Sequence, residues 1–159
     1  MIDLTPIENP LKIVLVEPEI PPNVGAISRI CACIGSPLVL CGPLTFDENH
    51  PKRKRAGLDY WDKVIKEYYP DFDAFLAQHT GTCWFLSTKV GRSLYEARFR
   101  PGDALVFGSE TRGLPAALLA RHPETALRIP MIADIRSLNV ANAAAIAAYE
   151  AIRQIHSLG

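Results

Sequence analysis

Lys12-Ile13-Val14-Leu15-Val16 runs directly into Glu17-Pro18-Glu19-Ile20-Pro21-Pro22-Asn23-Val24-Gly25-Ala26-Ile27-Ser28-Arg29. The first five residues are almost continuously apolar. A strand with one wet face alternates, so this run reads as a strand covered on both sides, the habit of parallel sheets. Pro21 and Pro22 halt that segment, and Asn23 has the side chain of a helix N-cap. A helix is expected from Val24 to about Ile34, with Ile27, Ile30, Cys31 and Ile34 as its apolar stripe. Gly35 is placed to end it. Arg29 lies off the stripe and shares a face with Gly25, one turn earlier. The bare glycine leaves room for another group to approach the arginine.

The same strand character recurs along the chain in Pro37–Cys41, Cys83–Ser87, Ala104–Gly108 and Ala126–Ile129. Helical segments are expected between several of these runs: Tyr60–Tyr69, Asp71–Gln78, Leu114–Arg121 and a long last helix from about Leu138 to His156. Strands alternating with helices indicate an α/β layered fold on a parallel sheet. The last helix is rich in alanine, which permits close packing on a sheet, on a helix or on a second subunit. Residues 43–57 read as a polar loop that ends in the basic run Lys52, Arg53, Lys54 and Arg55. No repeat or linker is evident, so residues 1–159 read as a single domain.

The chain has 159 residues, 48% of them apolar and 21% charged, the composition of a globular protein. No stretch is apolar for long enough to span a bilayer. Met1–Pro10 is too polar and proline-rich for a signal peptide, and a cytoplasmic location is expected. Lys and Arg together number 17, as do Asp and Glu. Zero net charge weakens the case for a nucleic-acid partner unless the positive charge is gathered on one face. Cys31, Cys33, Cys41 and Cys83 contain no CxxC pair and no zinc spacing, and the four histidines are scattered. No metal is expected, and the cysteines read as small buried hydrophobes.

There is no Walker loop, no GxGxxG after a strand and no complete nucleophile elbow. Three compact segments remain, each just beyond an apolar strand. They are residues 21–29, residues 107–115 (FGSETRGLP) and residues 128–142 (RIPMIADIRSLNVAN). Ligands in open α/β sheets bind outside the carboxyl ends of strands, so all three segments are candidates to line one site. Singly, each has a plainer reading: Asn23 as a helix cap, Glu110 paired with Arg112, Ser137 as the cap of the last helix.

Together, in this order and spacing, the three segments resemble the three motifs of the SPOUT superfamily. With EPEIPPNVGAISR and AGLDYW included, the chain is most similar to the small tRNA (cytidine/uridine) wobble-position 2′-O-methyltransferases, over nearly all of its length from Lys12. Residues 1–10 look like an extension. The resemblance implies a parallel-sheet fold with a C-terminal deep trefoil knot, which composition and periodicity do not indicate. It implies S-adenosylmethionine as methyl donor, S-adenosylhomocysteine as product, tRNA as acceptor and a homodimer sharing its active sites. Leu86, Gly108, Ile129 and Ser137 fall at the family's donor-contacting positions, with Gly108 admitting close backbone approach. Arg29, Asn23, Glu110, Ser137 and Asn139 fall at its polar site positions.

In this scheme Arg29 binds the neighbouring phosphate bidentately and orients the ribose hydroxyl. The final proton acceptor stays open between a phosphate oxygen, water and a transiently neutral Arg29. The basic run at 52–55 reads either as solvated surface or as an RNA phosphate grip, with Tyr60 and Trp61 packing the loop base or stacking on a base. Methylation at another tRNA or ribosomal RNA site, and a non-catalytic donor- or RNA-binding module, are the competing readings.

Overall fold

The computed structural model describes residues 3–45, 47 and 58–159, with Leu58 and Asp59 described by their backbone alone. In chain order the elements are β1 (Lys12–Val16), α1 (Pro21–Ile34), β2 (Leu38–Cys41), a 3-10 helix (Leu58–Lys63), β3 (Lys66–Tyr69) and α2 (Phe72–Leu76). Next come β4 (Cys83–Leu86), a 3-10 turn (Leu94–Glu96), β5 (Ala104–Phe107), α3 (Ala116–Arg121), β6 (Ala126–Leu127) and α4 (Val140–Ile155). The six strands form one sheet in the order β3-β2-β1-β5-β4-β6. Every pairing is parallel; Val14 sits level with Val39 on one side and Val106 on the other.

The continuous apolar runs follow from burial on both faces. Ile13, Leu15, Leu38, Leu40, Leu105 and Phe107 join one core with the inner faces of α1 and α4. Val14, Val16, Val39, Cys41, Phe85 and Val106 join a second core with Phe72 and Phe75 of α2 and Leu118 and Leu119 of α3. Successive strand residues point to opposite faces, so a strand between two helical layers needs an apolar residue at every position.

Three local expectations change. The helix after β1 begins at Pro21, and Asn23 is not its cap. Ile20 holds that position without a side-chain cap, and the prolines fill the first two helical positions. Proline is tolerated there because the N–H it lacks would have no helical partner. Gly35 ends the helix as expected, in the left-handed conformation at φ 67°. The segment Tyr60–Tyr69, expected as helix, divides into the 3-10 helix and edge strand β3. Strand β3 pairs only with β2 and is half-exposed. Its Lys-Glu-Tyr-Tyr sequence therefore lacks the apolar run that marks the other strands, and only its tyrosines carry a β preference. The last helix starts at Val140 and is capped by Asn139, not Ser137.

The alanines of α4 face inward within the chain: Ala144, Ala147, Ala148 and Ala151 are fully buried. Their small size is accounted for by contact of α4 with the sheet and α1. Of the cysteines, Cys31, Cys41 and Cys83 are buried, while Cys33 is exposed and departs from the expected pattern. Burial pushes the Cys41 and Cys83 thiols up to about 12. Among the described residues, no helix is long and apolar enough to cross a membrane.

Candidate active site

Beyond the carboxyl ends of β4, β5 and β6, where α1 and α4 begin, lies a cavity of about 500 Å³. That volume falls within the range of roughly 300–1,000 Å³ usual for small-ligand sites. The wall combines Leu86 from the end of β4, Phe107 and Gly108 from the end of β5, Ile129 and Met131 after β6, and Val140 and Ala143 from α4. Asn23, Glu110, Ser137 and Asn139 supply polar edges, and Lys89, Arg112 and Arg136 supply cationic ones. All four expected donor-contacting residues thus line a single cavity. Ser87, Thr88, Ser109, Thr111 and Leu138 line it too; the resemblance implied the loop after strand 83–87, the neighbours of Gly108 and residues 129–139 as the pocket, without naming these residues singly. They lie inside or beside the quoted segments, and adjacency was the available signal.

Gly108 lines the cavity and also has a steric role within the chain. A Cβ on it would lie 2.1 Å from the Gly113 carbonyl carbon and 2.2 Å from the Leu114 nitrogen. The loop after β5 folds back on its own start, and glycine is required for that closure whether or not a ligand is bound. The Gly113 N–H donates to the Ser109 carbonyl at 2.8 Å, which fixes the turn.

Glu110 joins this loop to α1. One carboxylate oxygen accepts the Glu19 N–H at 2.8 Å; the other accepts the Ile20 N–H at 3.1 Å and the Asn23 amide at 3.4 Å. These donors cluster where α1 begins, an electropositive place that favours a carboxylate. The expected partner Arg112 pairs instead with Glu17, at a loose 3.9 Å. The Asn139 Nδ2 donates to the Asn23 Oδ1 at 3.0 Å, while its Oδ1 accepts from the Ala141 and Asn142 N–H groups and caps α4. A chain of side chains, Glu110–Asn23–Asn139, therefore ties together the three sequence segments. Beside it, Thr111 donates to Glu19 at 2.7 Å. Hydrogen bonds from Thr111 and Ser109 hold the Glu19 carboxyl below its ordinary pKa.

Arg29 stands apart from these residues. It is exposed and is not among the residues lining the cavity. It lies six positions after Asn23, roughly 9 Å along the helix axis. Its guanidinium carbon lies 4.8 Å from the centre of the Tyr60 ring. Trp61, the other aromatic of that pair, is buried and packs into the core beneath α1. Lys52, Arg53, Lys54 and Arg55 lie outside the described residues.

Comparisons with known proteins bear on this geometry. A family model described as the SpoU rRNA Methylase family matches residues 10–149. A tRNA (cytidine(34)-2′-O)-methyltransferase of Aeromonas hydrophila is 46% identical over 151 residues, covering 94% of this chain and 97% of that protein. A structure solved for insight into the 2-OH methylation of C/U34 on tRNA superposes with a TM-score of 0.88 at 48% identity, covering 94% of this chain and 98% of that one. The SpoU methyltransferase AviRb of Streptomyces viridochromogenes, solved with AdoMet, superposes with a TM-score of 0.78 at 25% identity, covering 93% of this chain and 61% of that one.

Proposed function

The chain belongs to the SpoU rRNA methylase family, and on that premise we propose that it methylates the ribose 2′-hydroxyl of nucleotide 34 of tRNA with S-adenosylmethionine as donor. The observation that carries the reading is the convergence of Leu86, Gly108, Ile129 and Ser137, drawn from distant stretches of sequence, on one cavity of about 500 Å³. It is supported by near-full-length identity of 46% to a tRNA cytidine-34 2′-O-methyltransferase and by the likeness to a SpoU enzyme holding AdoMet.

The cavity suits such a donor. Leu86 and Ile129 offer apolar surface to a flat base, and Ser137 and the polar edges offer hydrogen bonds. When bound, the donor supplies a methyl group on a positively charged sulfur, which leaves as a neutral thioether. The residues of the chain must then bring a weak nucleophile into line and manage its proton. The role of Arg29 is to grip a backbone phosphate in two places and orient the adjacent hydroxyl. The hydroxyl so held would give up its proton to a phosphate oxygen, water or a transiently neutral Arg29 as it takes the methyl group and the donor sulfur departs as the thioether. Glu110, Asn23 and Asn139 hold the loops that shape the cavity.

The same proposal includes a cytoplasmic, single-domain protein that works as a homodimer, with its C-terminal segment threaded as a trefoil knot. Two features support a shared active site. Arg29 does not line the cavity of its own chain, and the outer face of α4 exposes Ile146 and Tyr149. Basic residues 52–55 are assigned to the RNA backbone.

The test is transfer from methyl-labelled donor to bulk tRNA and, in parallel, to ribosomal RNA, followed by nuclease mapping and mass spectrometry. Label on the ribose of nucleotide 34 is expected. Label at another position or in ribosomal RNA would overturn the substrate, and donor binding without transfer would overturn catalysis.

A further inference from the structure

We propose that Tyr60 is the positioning residue for Arg29: its ring holds the guanidinium by the face and leaves the hydrogen-bonding edge free for the RNA backbone. The inference rests on the reading of Arg29 as the acceptor-binding arginine.

Three observations carry it. The guanidinium carbon of Arg29 lies 4.8 Å from the Tyr60 ring centre, well inside the range of a cation–π contact. Among the described residues, none makes a hydrogen bond or ion pair with Arg29. The charged pairs found are Lys12–Glu67, Arg112–Glu17, Arg121–Asp73 and Arg153–Glu150. An arginine held by a carboxylate would spend its fork of donors on that partner. One held by an aromatic face keeps all five N–H groups available in the guanidinium plane.

The third observation is that the ring has a fixed base. Tyr60 belongs to the 3-10 helix Leu58–Lys63. Its neighbour Trp61 is 7% exposed and Val64 6%, and both enter the same core as the buried face of α1. The Lys66 ammonium donates to the Trp61 carbonyl at 2.6 Å and lies 4.6 Å from the Trp61 ring centre, which pins the segment further.

Lys63 also approaches the Tyr60 ring, its Nζ 5.8 Å from the centre. Among the described residues, two cations therefore gather at one aromatic ring, in a chain whose formal charges cancel. That local excess suits a phosphodiester, and it repels a basic side chain of any partner from the same spot. The pairing also gives Tyr60 of the AGLDYW segment a role distinct from both roles the sequence suggested, since the ring meets a cation of its own chain.

The experiment compares Tyr60→Phe, Tyr60→Leu, Arg29→Ala and the double variant Tyr60→Leu/Arg29→Ala in the full-length protein. Single-turnover methyl transfer to tRNA, donor affinity by calorimetry and thermal unfolding are measured for each. Tyr60→Phe keeps the aromatic face and is expected within about threefold of the parent rate. Tyr60→Leu keeps bulk but lacks the face, and is expected to lose about five- to thirtyfold in transfer, the scale of one cation–π contact. Its donor affinity is expected to stay within about twofold, because Tyr60 is not among the residues lining the cavity. In the double variant the Tyr60→Leu defect disappears against the Arg29→Ala background.

Parent-like transfer by Tyr60→Leu overturns the proposal, as does a multiplied defect in the double variant. So does a defect in Tyr60→Phe as large as that in Tyr60→Leu. Should Tyr60→Leu fail to fold, the Tyr60→Phe result together with Tyr60→Trp decides, since both keep a cation-binding face and must both retain activity. Full activity of Arg29→Ala would instead remove the Arg29 reading on which the proposal stands, a result separable from loss of the Tyr60 contact alone.

Discussion

At the scale of single residues, the site depends on Gly108 and Glu110 for reasons that are steric and electrostatic. Gly108→Ala forces a Cβ onto the backbone of Gly113 and Leu114, and backbone cannot swing aside as a long side chain does. The variant is expected to lose about 1–3 kcal/mol of stability and most of its donor affinity, read by urea unfolding and calorimetry. Glu110→Ala strips the Glu19 and Ile20 N–H groups of a charged acceptor. A loss of about 1–3 kcal/mol in unfolding free energy is expected, with weaker donor binding as the loop after β5 separates from α1. Unchanged donor affinity in both variants would show that the two loops do not shape the cavity. Glu110 and Asn139 stand out in the sequence and line the cavity, but their partners were not legible. Asn23 lies 87 positions from Glu110 and 116 from Asn139, and only the folded chain brings such distant side chains together.

At the scale of elements, the boundaries of α1 and α4 show which local signals are reliable. Gly35 was legible as a helix stop because the left-handed conformation it adopts, φ 67°, is costly for any residue with a Cβ. The space around it is open, so Gly35→Ala tests conformation alone and is expected to cost about 1 kcal/mol in thermal unfolding. Asn23 misled because its cap-forming side chain is engaged in tertiary contacts, while prolines satisfy the first turn by lacking the donors that a cap would meet. Helix α4 presents a row of fully buried alanines to α1 and the sheet. Ala148→Leu adds volume where none is available and is expected to cost about 1–3 kcal/mol; a variant as stable as the parent would mean that α4 packs less closely than described. Strand β3 escaped detection because it lies at the sheet edge and none of its four residues is buried, which removes the constraint that wrote apolar runs into the other strands.

At the scale of the whole molecule, charge distribution and pH response follow from placement. With formal charges balanced, RNA affinity must come from segregated cations. Binding to tRNA is therefore expected to weaken steeply as salt rises, and replacing Lys52, Arg53, Lys54 and Arg55 by glutamine is expected to flatten that dependence. An unchanged slope in a filter-binding titration would remove the run from the interface. At the opposite end of the sheet from the cavity, His79 stacks on Phe75 at 4.9 Å. Its Nε2 is buried without a hydrogen-bond partner among the described residues. Burial, and then the nearby Lys12 charge, hold its pKa below the ordinary 6.5. The folded state thus favours neutral His79, while the unfolded chain binds a proton near pH 6.5. Stability is fully present above that pH and is lost as pH falls through the unfolded value toward the lower folded one. Urea unfolding from about pH 7 to about pH 5 is expected to show this decline, and His79→Gln is expected to reduce it.

What the amino-acid sequence determined by itself is the class of fold and the identity of the segments that meet at the site. Both are written locally: burial on two faces demands unbroken apolar strands, and tight loops demand glycine, proline, asparagine and serine just beyond them. What only the tertiary structure decided is how those segments touch. The Glu110–Asn23–Asn139 chain, the backbone crowding at Gly108 and the seat of Arg29 on Tyr60 all join residues separated in sequence. Each forms only once the parallel sheet has set its crossovers, because a hydrogen bond or ring contact of a few ångströms leaves no periodic trace in the chain.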